Sequence, residues 1–389
     1  MRMLLWLSCV LVLAATGLEA FCFAFPWRPI NRPHLNRLLD MPEFQSTVRT
    51  NSLGLREDGE IPADKNPGEK RIFLVGDSFA FGFGLEKRDT IAEQLQHCLS
   101  ASPRGGVSPK TSVRVINAGS PGTGPLHYAH CVRRIAMPLR ADTVIVFFYV
   151  GNDMENTHEP YLAFPYSLKN RLKILFPNAY LWASGWKYNR PAPADAPHRI
   201  GLDPWSTATL HRWGKREGLS PEECDRRKAA LSPIVQEWLN RRDVNPAYLY
   251  DALTHPQILN DRATLKSEGM RRAMQRCEVA VRKIKKSCAR TRAQFVLVVA
   301  PASYQVNDEQ WDFWRQVGYA LDPVEALRTA PQESLKRFCA KEGIPCLDLL
   351  PDLRKSGIHP MHYARDEHWR PATARYVARV LCDFLKRQK

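Results

Sequence analysis

Short apolar runs separated by amphipathic stretches mark two parts of the chain, one near residues 71–150 and one near 294–350. The runs are RIFLVG at 71–76, VRVIN at 113–117, DTVIVFFYV at 142–150, QFVLVVAP at 294–301 and IPCLDLL at 344–350. Runs that are apolar at successive positions are typical of parallel strands whose sheet is covered on both faces. The pattern therefore predicts an α/β fold around a parallel five-stranded sheet.

Stretches with helical periodicity lie between or after these runs. They occupy residues 89–99, 126–137, 266–292 and 371–386. In the third stretch, apolar residues recur every three or four positions, which predicts a helix face buried in the core. The last stretch has Pro371 in its first turn, where proline is favoured. Strands and helices thus alternate as they do in doubly wound sheets.

The alternation stops between residues 155 and 265. This part is rich in Trp, Pro and Arg and has no run as apolar as the others, so we expect a largely helical insertion. Two interpretations of its tryptophans stay open. They stack on sugar rings near a site, or they form the core of a helical cap, which is the more frequent role of Trp. The tryptophans concerned are Trp182, Trp186, Trp205 and Trp213.

The export segment, residues 3–25, is apolar except for Glu19. Such a segment is a secretory signal or an uncleaved anchor long enough to span a bilayer. A buried helix of a soluble protein is disfavoured, because such helices are seldom apolar on every face. We therefore expect residues 1–25 to export the chain, residues 26–70 to form a linker that wraps onto the domain, and residues 71–389 to form the domain with its insertion.

The chain has 389 residues, of which 44% are hydrophobic and 25% are charged, and a formal net charge of +16. This composition is typical of a globular protein that is long enough to bury a core. The charge alone would suit nucleic-acid binding. However, the sequence has no zinc-finger spacing, no RNP-like aromatic motif and no single block of Lys and Arg. We therefore expect no nucleic-acid partner, whereas anionic lipid surfaces and acidic polymers are compatible with the charge.

Eight cysteines lie outside residues 1–25, and no CxxC pair occurs. This spacing supports neither a metal site nor a thioredoxin-like site, whereas export permits disulfides. The first and last helices of a doubly wound sheet can lie on the same face, which predicts a bridge between Cys98 and Cys382. Cys339 and Cys346 form the second predicted pair.

A small polar pair, Asp77 and Ser78, follows the first apolar run. Sites in parallel α/β sheets form beyond the carboxyl ends of the strands, near the point where strand order reverses. Gly76 permits a sharp turn there and brings Ser78 to a helix start, where its hydroxyl can be a nucleophile and nearby N–H groups can hold an oxyanion. The alternative is a plain strand-to-helix turn with Asp77 or Ser78 as the N-cap.

Further polar blocks follow the same pattern. The second run ends in NAGSPG at 117–122, the third in GND at 151–153, and RDEHW at 365–369 precedes the last helix. Together with GDS at 76–78, and in this order, the blocks resemble the SGNH hydrolase superfamily, also called the GDSL esterases and lipases, in its bacterial exported or membrane-anchored form. The resemblance leaves the insertion unexplained. It implies a flavodoxin-like α/β/α sandwich of three layers.

The resemblance implies a role for each block. Ser78 matches the nucleophile and His368 the general base, which Asp366 orients. The backbone N–H groups of Ser78 and Gly122 and the side-chain amide of Asn152 match the oxyanion hole. This chemistry requires no metal or organic cofactor.

Two positions depart from the family pattern. The third block usually reads Gly-x-Asn, but Val150 stands at the glycine position. The last block commonly reads Asp-x-x-His, which puts Arg365 where the acid belongs. Either Asp366 acts across the shorter Asp-x-His spacing or the site works as a serine–histidine dyad, and we favour Asp366. His359 and His362 are weaker candidates for the base.

These residues predict a serine esterase that hydrolyses short acyl esters, above all O-acetyl esters, on a carbohydrate. The expected partner is a small acyl ester or an acylated carbohydrate. A sugar hydroxyl in place of water would make the same residues an O-acyltransferase that modifies a cell-surface polysaccharide. A third interpretation, a non-catalytic glycan-binding protein, would not need Ser78 and His368. Export predicts that the domain lies in the periplasm or outside the cell, anchored by residues 1–25 or secreted after their cleavage.

Overall fold

The computed structural model describes residues 33–101, 112–157 and 205–388, together with residues 14, 16, 17, 31, 199 and 200. The predicted export segment lies outside these residues except for three isolated positions, and Trp182 and Trp186 also lie outside them. Within the described part of the chain, no helix is long and apolar enough to cross a membrane.

The strands and helices are numbered in chain order. The strands are β1 (Asn36–Met41), β2 (Phe44–Arg49), β3 (Glu69–Gly76), β4 (Ser112–Gly119), β5 (Thr143–Tyr149), β6 (Arg199–Ile200), β7 (Gln294–Ala300), β8 (Cys346–Asp348), β9 (His362–Tyr363) and β10 (Asp366–Trp369). The helices are α1 (Ser78–Phe81), α2 (Ile91–Ser100), α3 (Pro125–Cys131), α4 (Asp153–Asn156), α5 (Thr207–Arg216), α6 (Pro221–Ala229), α7 (Pro233–Arg241), α8 (Pro246–Thr254), α9 (Ile258–Thr264), α10 (Glu268–Thr291), α11 (Ser303–Val306), α12 (Trp311–Val317), α13 (Pro323–Ala326), α14 (Ala330–Glu342), α15 (Leu350–Lys355) and α16 (Pro371–Arg387).

The central sheet has five strands in the order β4-β3-β5-β7-β8, and every neighbouring pair is parallel. The predicted α/β fold with a parallel five-stranded sheet is therefore confirmed. The chain leaves β3 toward β4 on one side and returns to β5 on the other side. Strand order thus reverses at β3, and the carboxyl ends of β3, β4 and β5 border the crevice in which sites of such sheets form.

Helices cover both faces of this sheet. Side chains of β3 alternate between the faces, as they do along any strand. Phe73 and Val75 belong to the core that contains the apolar sides of α3, α10 and α14. Ile72 and Leu74 belong to the core that contains α2, α15 and α16. The molecule is therefore the three-layer α/β/α sandwich that the sequence predicts.

One of the two predicted disulfides is present. Cys98 in α2 and Cys382 in α16 are bridged, with their Cα atoms 6.3 Å apart, because both helices lie on the same face of the sheet. The second prediction is wrong for this structure: Cys339 and Cys346 are free thiols. They lie on α14 and β8 and are close enough for their thiols to form a hydrogen bond with each other.

The stretch before β3 is more structured than the predicted linker. Strands β1 and β2 form an antiparallel hairpin, and β6 pairs in parallel with β1. Leu39, Phe44 and Val48 on this hairpin pack against Phe81 of α1 and Tyr363 of β9. The sequence analysis missed these strands because Asn, Arg and Asp interrupt their apolar positions.

Residues 205–264 of the predicted insertion fold as helices α5 to α9. Trp205 stacks on Tyr250 with ring centroids 4.7 Å apart, and the Trp213 ring lies 5.5 Å from the same tyrosine. Both tryptophans also pack against the large core that covers one face of the sheet. These contacts favour the core role for Trp205 and Trp213 over the role of exposed stacking surfaces.

Candidate active site

The turn after β3 combines the two roles that the sequence leaves open for its polar pair. Asp77 is the N-cap of α1, and its Oδ1 accepts the N–H of Phe79 at 2.9 Å. This cap leaves Ser78 as the first residue of a four-residue helix, so its hydroxyl is not used for capping. The turn therefore presents Ser78 at the carboxyl edge of the sheet, where β3 ends.

The NAGSPG block supports this short helix. A Cβ at Gly119 would lie 2.0 Å from the Phe81 nitrogen, so only glycine lets the backbone of α1 rest on the end of β4. The side-chain amide of Asn117 donates to the Phe81 carbonyl at 3.2 Å. The N–H of Ser120 donates to the Gly76 carbonyl at 2.9 Å. The block thus fixes the backbone on either side of Ser78.

Ser78, His368 and Asp366 form a continuous hydrogen-bonded chain. Nε2 of His368 lies 2.8 Å from the Ser78 Oγ. Nδ1 of His368 hydrogen bonds to Oδ1 of Asp366, and the same oxygen accepts the backbone N–H of His368 at 2.8 Å. Asp366 therefore reaches the imidazole despite the shorter Asp-x-His spacing. One of its carboxylate oxygens hydrogen bonds to both the backbone N–H and the ring of the residue two positions later.

Other polar residues of this stretch do not take part in the chain. Arg365 points to the insertion, where it pairs with Asp243 at 3.0 Å. His359 is exposed and pairs with Glu309 at 2.9 Å. Burial lowers the pKa of His362 to about 3, so this histidine is neutral near neutral pH. Of the three histidines, His368 is the one whose ring contacts Ser78.

The buried imidazole is electrostatically prepared to hold a proton. Burial alone would lower the pKa of His368, but the Asp366 carboxylate, with smaller contributions from Glu367 and Asp77, raises it above its ordinary value of 6.5. Burial would raise the pKa of Asp366, but the partner imidazole lowers it below its ordinary value of 3.8. Each group thus favours the charged form of the other.

Aromatic rings enclose the imidazole. The ring of Phe79 lies 5.0 Å from that of His368, and the ring of Phe83 lies 4.6 Å from it. The Trp369 ring packs edge-on against Phe79 at 4.9 Å. These contacts restrict rotation of the imidazole and keep water from most of its surface.

The two other predicted oxyanion residues have different surroundings. Asn152 is the N-cap of α4, its side chain hydrogen bonds to the Asp77 carboxyl, and its buried Oδ1 has no hydrogen-bond partner among the described residues. Gly122 lies in the exposed turn between β4 and α3 with φ of +69°, and a Cβ there would meet nothing within 4 Å. The structure thus brings Asn152 next to the Ser78 block, whereas Gly122 lies in an exposed turn.

A close packing contact explains the unusual GND block. A Cβ at Gly151 would lie 2.3 Å from the ring of Tyr149, so the glycine is needed at this position and not at Val150. The Tyr149 hydroxyl donates to Oε2 of Glu367 at 2.6 Å, which connects this block to the neighbour of His368. Burial raises the pKa of Glu367 above its ordinary value.

Buried carboxyls also lie behind the serine. Burial raises the pKa of Asp77 to about 7, although the Phe79 N–H and the His368 charge oppose this rise. Burial raises the pKa of Asp153 well above its ordinary value, and nearby Asp77 adds to the effect. Among the residues that the structure describes, no three His, Cys, Asp or Glu side chains are grouped so that they could hold a metal ion.

Residues that the sequence analysis did not single out hold the loop that carries His368. Glu43 of the N-terminal hairpin accepts the N–H groups of Ala364 and Arg365 at 2.9 and 2.7 Å. The side-chain amide of Gln310 donates to the carbonyls of Tyr363 and Asp366 at 2.6 and 2.9 Å. Both contacts join positions far apart in the chain, and no local sequence pattern predicts such pairs.

Comparison with known families identifies the C-terminal part of the chain. Residues 259–389 match the family model described as the SGNH hydrolase-like domain of the acetyltransferase AlgX. The matched region contains His368 and Asp366. Ser78 and Asn152 precede it, so their blocks are connected to it through the fold and the hydrogen bonds described above.

Several solved esterase structures are weakly similar to the chain. A catalytic mutant of the acetylxylan esterase Axe2 from Geobacillus stearothermophilus is 11% identical, and the match covers 83% of this chain and 96% of that one with a TM-score of 0.39. A lipase/acylhydrolase from Enterococcus faecalis is 12% identical, and the match covers 82% of this chain and 96% of that one with a TM-score of 0.38. The two-domain esterase CEX, which is active on acetylated mannans, is 14% identical, and the match covers 82% of this chain and 50% of that one with a TM-score of 0.38. At such scores the fold assignment rests on this chain's own sheet topology. No curated protein sequence matches the chain.

Proposed function

We propose that the chain, whose residues 259–389 match an SGNH hydrolase-like domain, is an ester-acting enzyme that removes short acyl groups from a carbohydrate. The proposed catalytic residues are Ser78 as nucleophile, His368 as general base and Asp366 as the acid that orients the imidazole. The acyl group proposed is acetyl, because the family model that matches residues 259–389 names an acetyltransferase.

The observation that carries this proposal is the contact of 2.8 Å between the Ser78 Oγ and Nε2 of His368. A serine hydroxyl is a weak nucleophile until a base within hydrogen-bond reach accepts its proton. Asp366 on the far side of the ring keeps a hydrogen on Nδ1 and leaves Nε2 free to accept that proton. A glycan-binding protein without catalysis would have no need for this arrangement.

In the proposed reaction, the Ser78 Oγ attacks the ester carbonyl carbon while its proton moves to Nε2 of His368. The carbonyl oxygen becomes an oxyanion, for which the Ser78 N–H, the Gly122 N–H and the Asn152 amide are the proposed donors. Asp366 stabilises the imidazolium. The bond to the alcohol oxygen then breaks, His368 returns the proton to that oxygen, and the acyl group remains on the serine.

The acyl-enzyme is resolved by a second attack. Water gives its proton to His368 as its oxygen attacks the acyl carbon; the bond to the Ser78 Oγ breaks, and His368 returns the proton to the serine. The product is a carboxylic acid. A sugar hydroxyl in place of water follows the same steps and gives a new ester, which makes the chain an O-acyltransferase. The acetyltransferase named by the family model favours this second candidate function.

We place the domain outside the cytoplasm, in the periplasm or beyond the cell, attached to the membrane by residues 1–25 or released after their cleavage. The bridge between Cys98 and Cys382 supports this placement, because disulfides persist in oxidising compartments. A reporter that is active only in oxidising compartments, fused after Lys389, should be active. Activity of a cytoplasm-dependent reporter alone would rule the placement out.

The two candidate activities are separated by one assay. The purified protein is incubated with p-nitrophenyl acetate, with and without an acetylatable oligosaccharide, while free acetate and oligosaccharide mass are measured. An esterase releases acetate in both mixtures, whereas an acyltransferase adds the mass of acetyl groups to the oligosaccharide. Ser78→Ala should abolish either product. Ser120→Ala, which removes another buried serine hydroxyl beside the site, serves as the matched control and should keep most activity.

A further inference from the structure

A buried arginine between β2 and β3 holds the backbone of the helix that begins with Ser78. Arg56 follows strand β2 and is only 2% exposed. Its Nη1 donates to the Phe81 carbonyl at 2.8 Å and also to the Gly82 carbonyl, and its Nη2 donates to the Leu85 carbonyl. These carbonyls belong to the end of α1 and the loop behind it, and helix ends leave such groups without partners inside the helix.

The guanidinium is well suited to hold this loop. Its planar fork makes several hydrogen bonds in fixed directions, which a lysine ammonium does not reproduce. Its Cζ also lies 4.8 Å from the centre of the Phe81 ring. Burial lowers the pKa of Arg56 to about 10, so the group keeps its charge at neutral pH. A cation at the carboxyl end of α1 also complements the partial negative charge of the exposed carbonyls.

The same dipeptide holds the neighbouring strand. The backbone N–H of Arg56 donates to the Asn117 carbonyl at 3.1 Å, and Oε1 of Glu57 accepts the Asn117 N–H at 3.0 Å. Asn117 in turn donates from its side chain to the Phe81 carbonyl. Residues 56 and 57 therefore join the end of β4, the end of α1 and the loop after α1 into one unit.

A second buried arginine provides a natural reference. Arg71 is 0% exposed and donates to the carbonyls of Leu139 and Asp64, both at 2.9 Å. It also pairs with Glu69 at 2.8 Å. Arg71 lies near the start of β3, about 20 Å along the chain from Ser78. Both arginines are thus buried and both donate to main-chain carbonyls, but of the two it is Arg56 that contacts the helix of the nucleophile.

We propose that Arg56 is a positioning residue for Ser78, and that the segment that carries it is part of the catalytic apparatus. The proposal rests on the proposed serine mechanism. The carbonyls that Arg56 holds lie three to seven residues after Ser78, so a shift of the loop moves the Ser78 Oγ relative to Nε2 of His368. A misplacement of about 1 Å can cost about 100-fold in rate, because the attacking group must stay within hydrogen-bond reach of its base.

A cavity of about 180 Å³ borders Arg56. The buried Nε of Arg56 has no hydrogen-bond partner among the described residues. The residues that line the cavity are Thr47, Arg49, Arg56, Asp58, Glu86 and Lys87. Guanidinium added to an Arg56→Ala variant can therefore reach the space that the side chain leaves, which provides a readout that a purely structural role would not move.

The test compares Arg56→Lys and Arg56→Ala with Arg71→Lys and Arg71→Ala in the full chain, with p-nitrophenyl acetate as substrate. We expect Arg56→Lys to lower kcat by about tenfold or more with little change in KM, since the loss is one of alignment and not of substrate binding. Arg71→Lys should lower the melting temperature at least as much and leave kcat within about threefold. Millimolar guanidinium should raise kcat of Arg56→Ala and leave that of Arg71→Ala unchanged.

The outcomes separate this inference from the proposed function. An inactive wild-type protein contradicts the serine mechanism itself. An active wild-type protein whose kcat falls equally in the Arg56 and Arg71 lysine variants overturns the positioning role. If Arg56→Ala does not fold, the lysine variant decides alone, because it keeps the charge and most of the volume. A lysine variant with wild-type kcat at temperatures well below its melting point also overturns the proposal.

Discussion

The N-terminal segment, residues 31–57, and the helical insertion, residues 205–264, both brace the edge of the sheet where Ser78 meets His368, but they do so with different interactions. The N-terminal segment directs charged side chains at main-chain atoms. Arg56 donates to carbonyls behind the nucleophile helix, and Glu43 accepts N–H groups of the loop that carries the histidine.

The insertion instead pairs charged side chains with each other. The Arg262 side chain of α9 is 11% exposed and hydrogen bonds to Glu155 of α4, the helix that Asn152 caps. It also pairs with Asp251 at 3.2 Å. Asp243 pairs with Arg365 at 3.0 Å. Burial raises the pKa of Glu155, although the charge of Arg262 opposes this rise.

This difference predicts how each region responds to change. Removal of one member of a buried ion pair leaves the other charge without compensation, and a second substitution can relieve that cost. A charged side chain that holds the main chain has no second side chain whose removal could relieve its loss. Defects in the insertion should therefore be repairable by paired substitutions, whereas defects in the N-terminal segment should not be.

The largest effect is expected at the residue that both regions help to place. Asp366→Asn should lower kcat by about 10⁴-fold, because the amide favours the wrong imidazole tautomer, as the same change does in serine proteases. Arg365→Ala removes the contact to the insertion and should change kcat by less than about threefold. Steady-state kinetics of both variants tests this. A loss of less than about tenfold in Asp366→Asn would mean that the site works as a dyad.

The pH profile of the same variant gives an independent check. His368 must be neutral to accept a proton, so kcat/KM should fall on the acid side of a pKa that lies above 6.5. The Asp366 charge raises this pKa, whereas burial lowers it. In Asp366→Asn the effect of burial remains, and the contributions of Glu367 and Asp77 are smaller than the one that is lost, so the acid limb should move to lower pH. A limb that stays in place would show that Asp366 is not the group that raises the pKa of His368.

The next effect concerns the insertion. Arg262→Met should lower the free energy of unfolding by about 1–3 kcal/mol, because the partly exposed carboxylates of Glu155 and Asp251 then lose their partner. The double variant Arg262→Met with Glu155→Met should recover part of that loss. Denaturant unfolding of the single and double variants measures both values. Equal stabilities of the two variants would contradict the paired-charge account of this region.

A smaller effect is expected from Glu43→Gln in the N-terminal segment. The amide can accept only through one oxygen and carries no charge, so the hold on the Ala364 and Arg365 N–H groups weakens by about 1 kcal/mol. We expect kcat to fall a few-fold. Glu60→Gln is the matched control, because its carboxylate accepts the Ser52 N–H at 2.9 Å, away from both Arg56 and the histidine loop. Equal kcat in the two variants would show that Glu43 does not help to position the loop that carries His368.

The sequence predicts the fold best where local pattern and buried structure agree. Continuous apolar runs become the five parallel strands, since a strand covered on both faces must be apolar at nearly every position. Polar blocks at the ends of these strands, with His368 before the last helix, point to the site because parallel strands bring their carboxyl ends to one edge. The bridge between Cys98 and Cys382 follows from the same topology.

The rest depends on contacts that no local pattern records. Strands β1 and β2 are interrupted by polar residues and are stabilised by packing on Phe81 and Tyr363, which lie far along the chain. Arg56 begins the charged run RED at 56–58, and its role appears only when three distant carbonyls converge on it. The need for glycine at position 151 is explained by the ring of Tyr149, a contact of side chain with backbone.

The central claim is that Ser78 is activated by His368, and covalent labelling tests it most directly. The protein is treated with a fluorophosphonate, digested and analysed by peptide mass spectrometry, alongside Ser78→Ala and His368→Ala. The account predicts one adduct, on the peptide and residue of Ser78, with no labelling in Ser78→Ala and a labelling rate at least about 100-fold lower in His368→Ala. An adduct that persists in Ser78→Ala, or a labelling rate that is unchanged in His368→Ala, would contradict it.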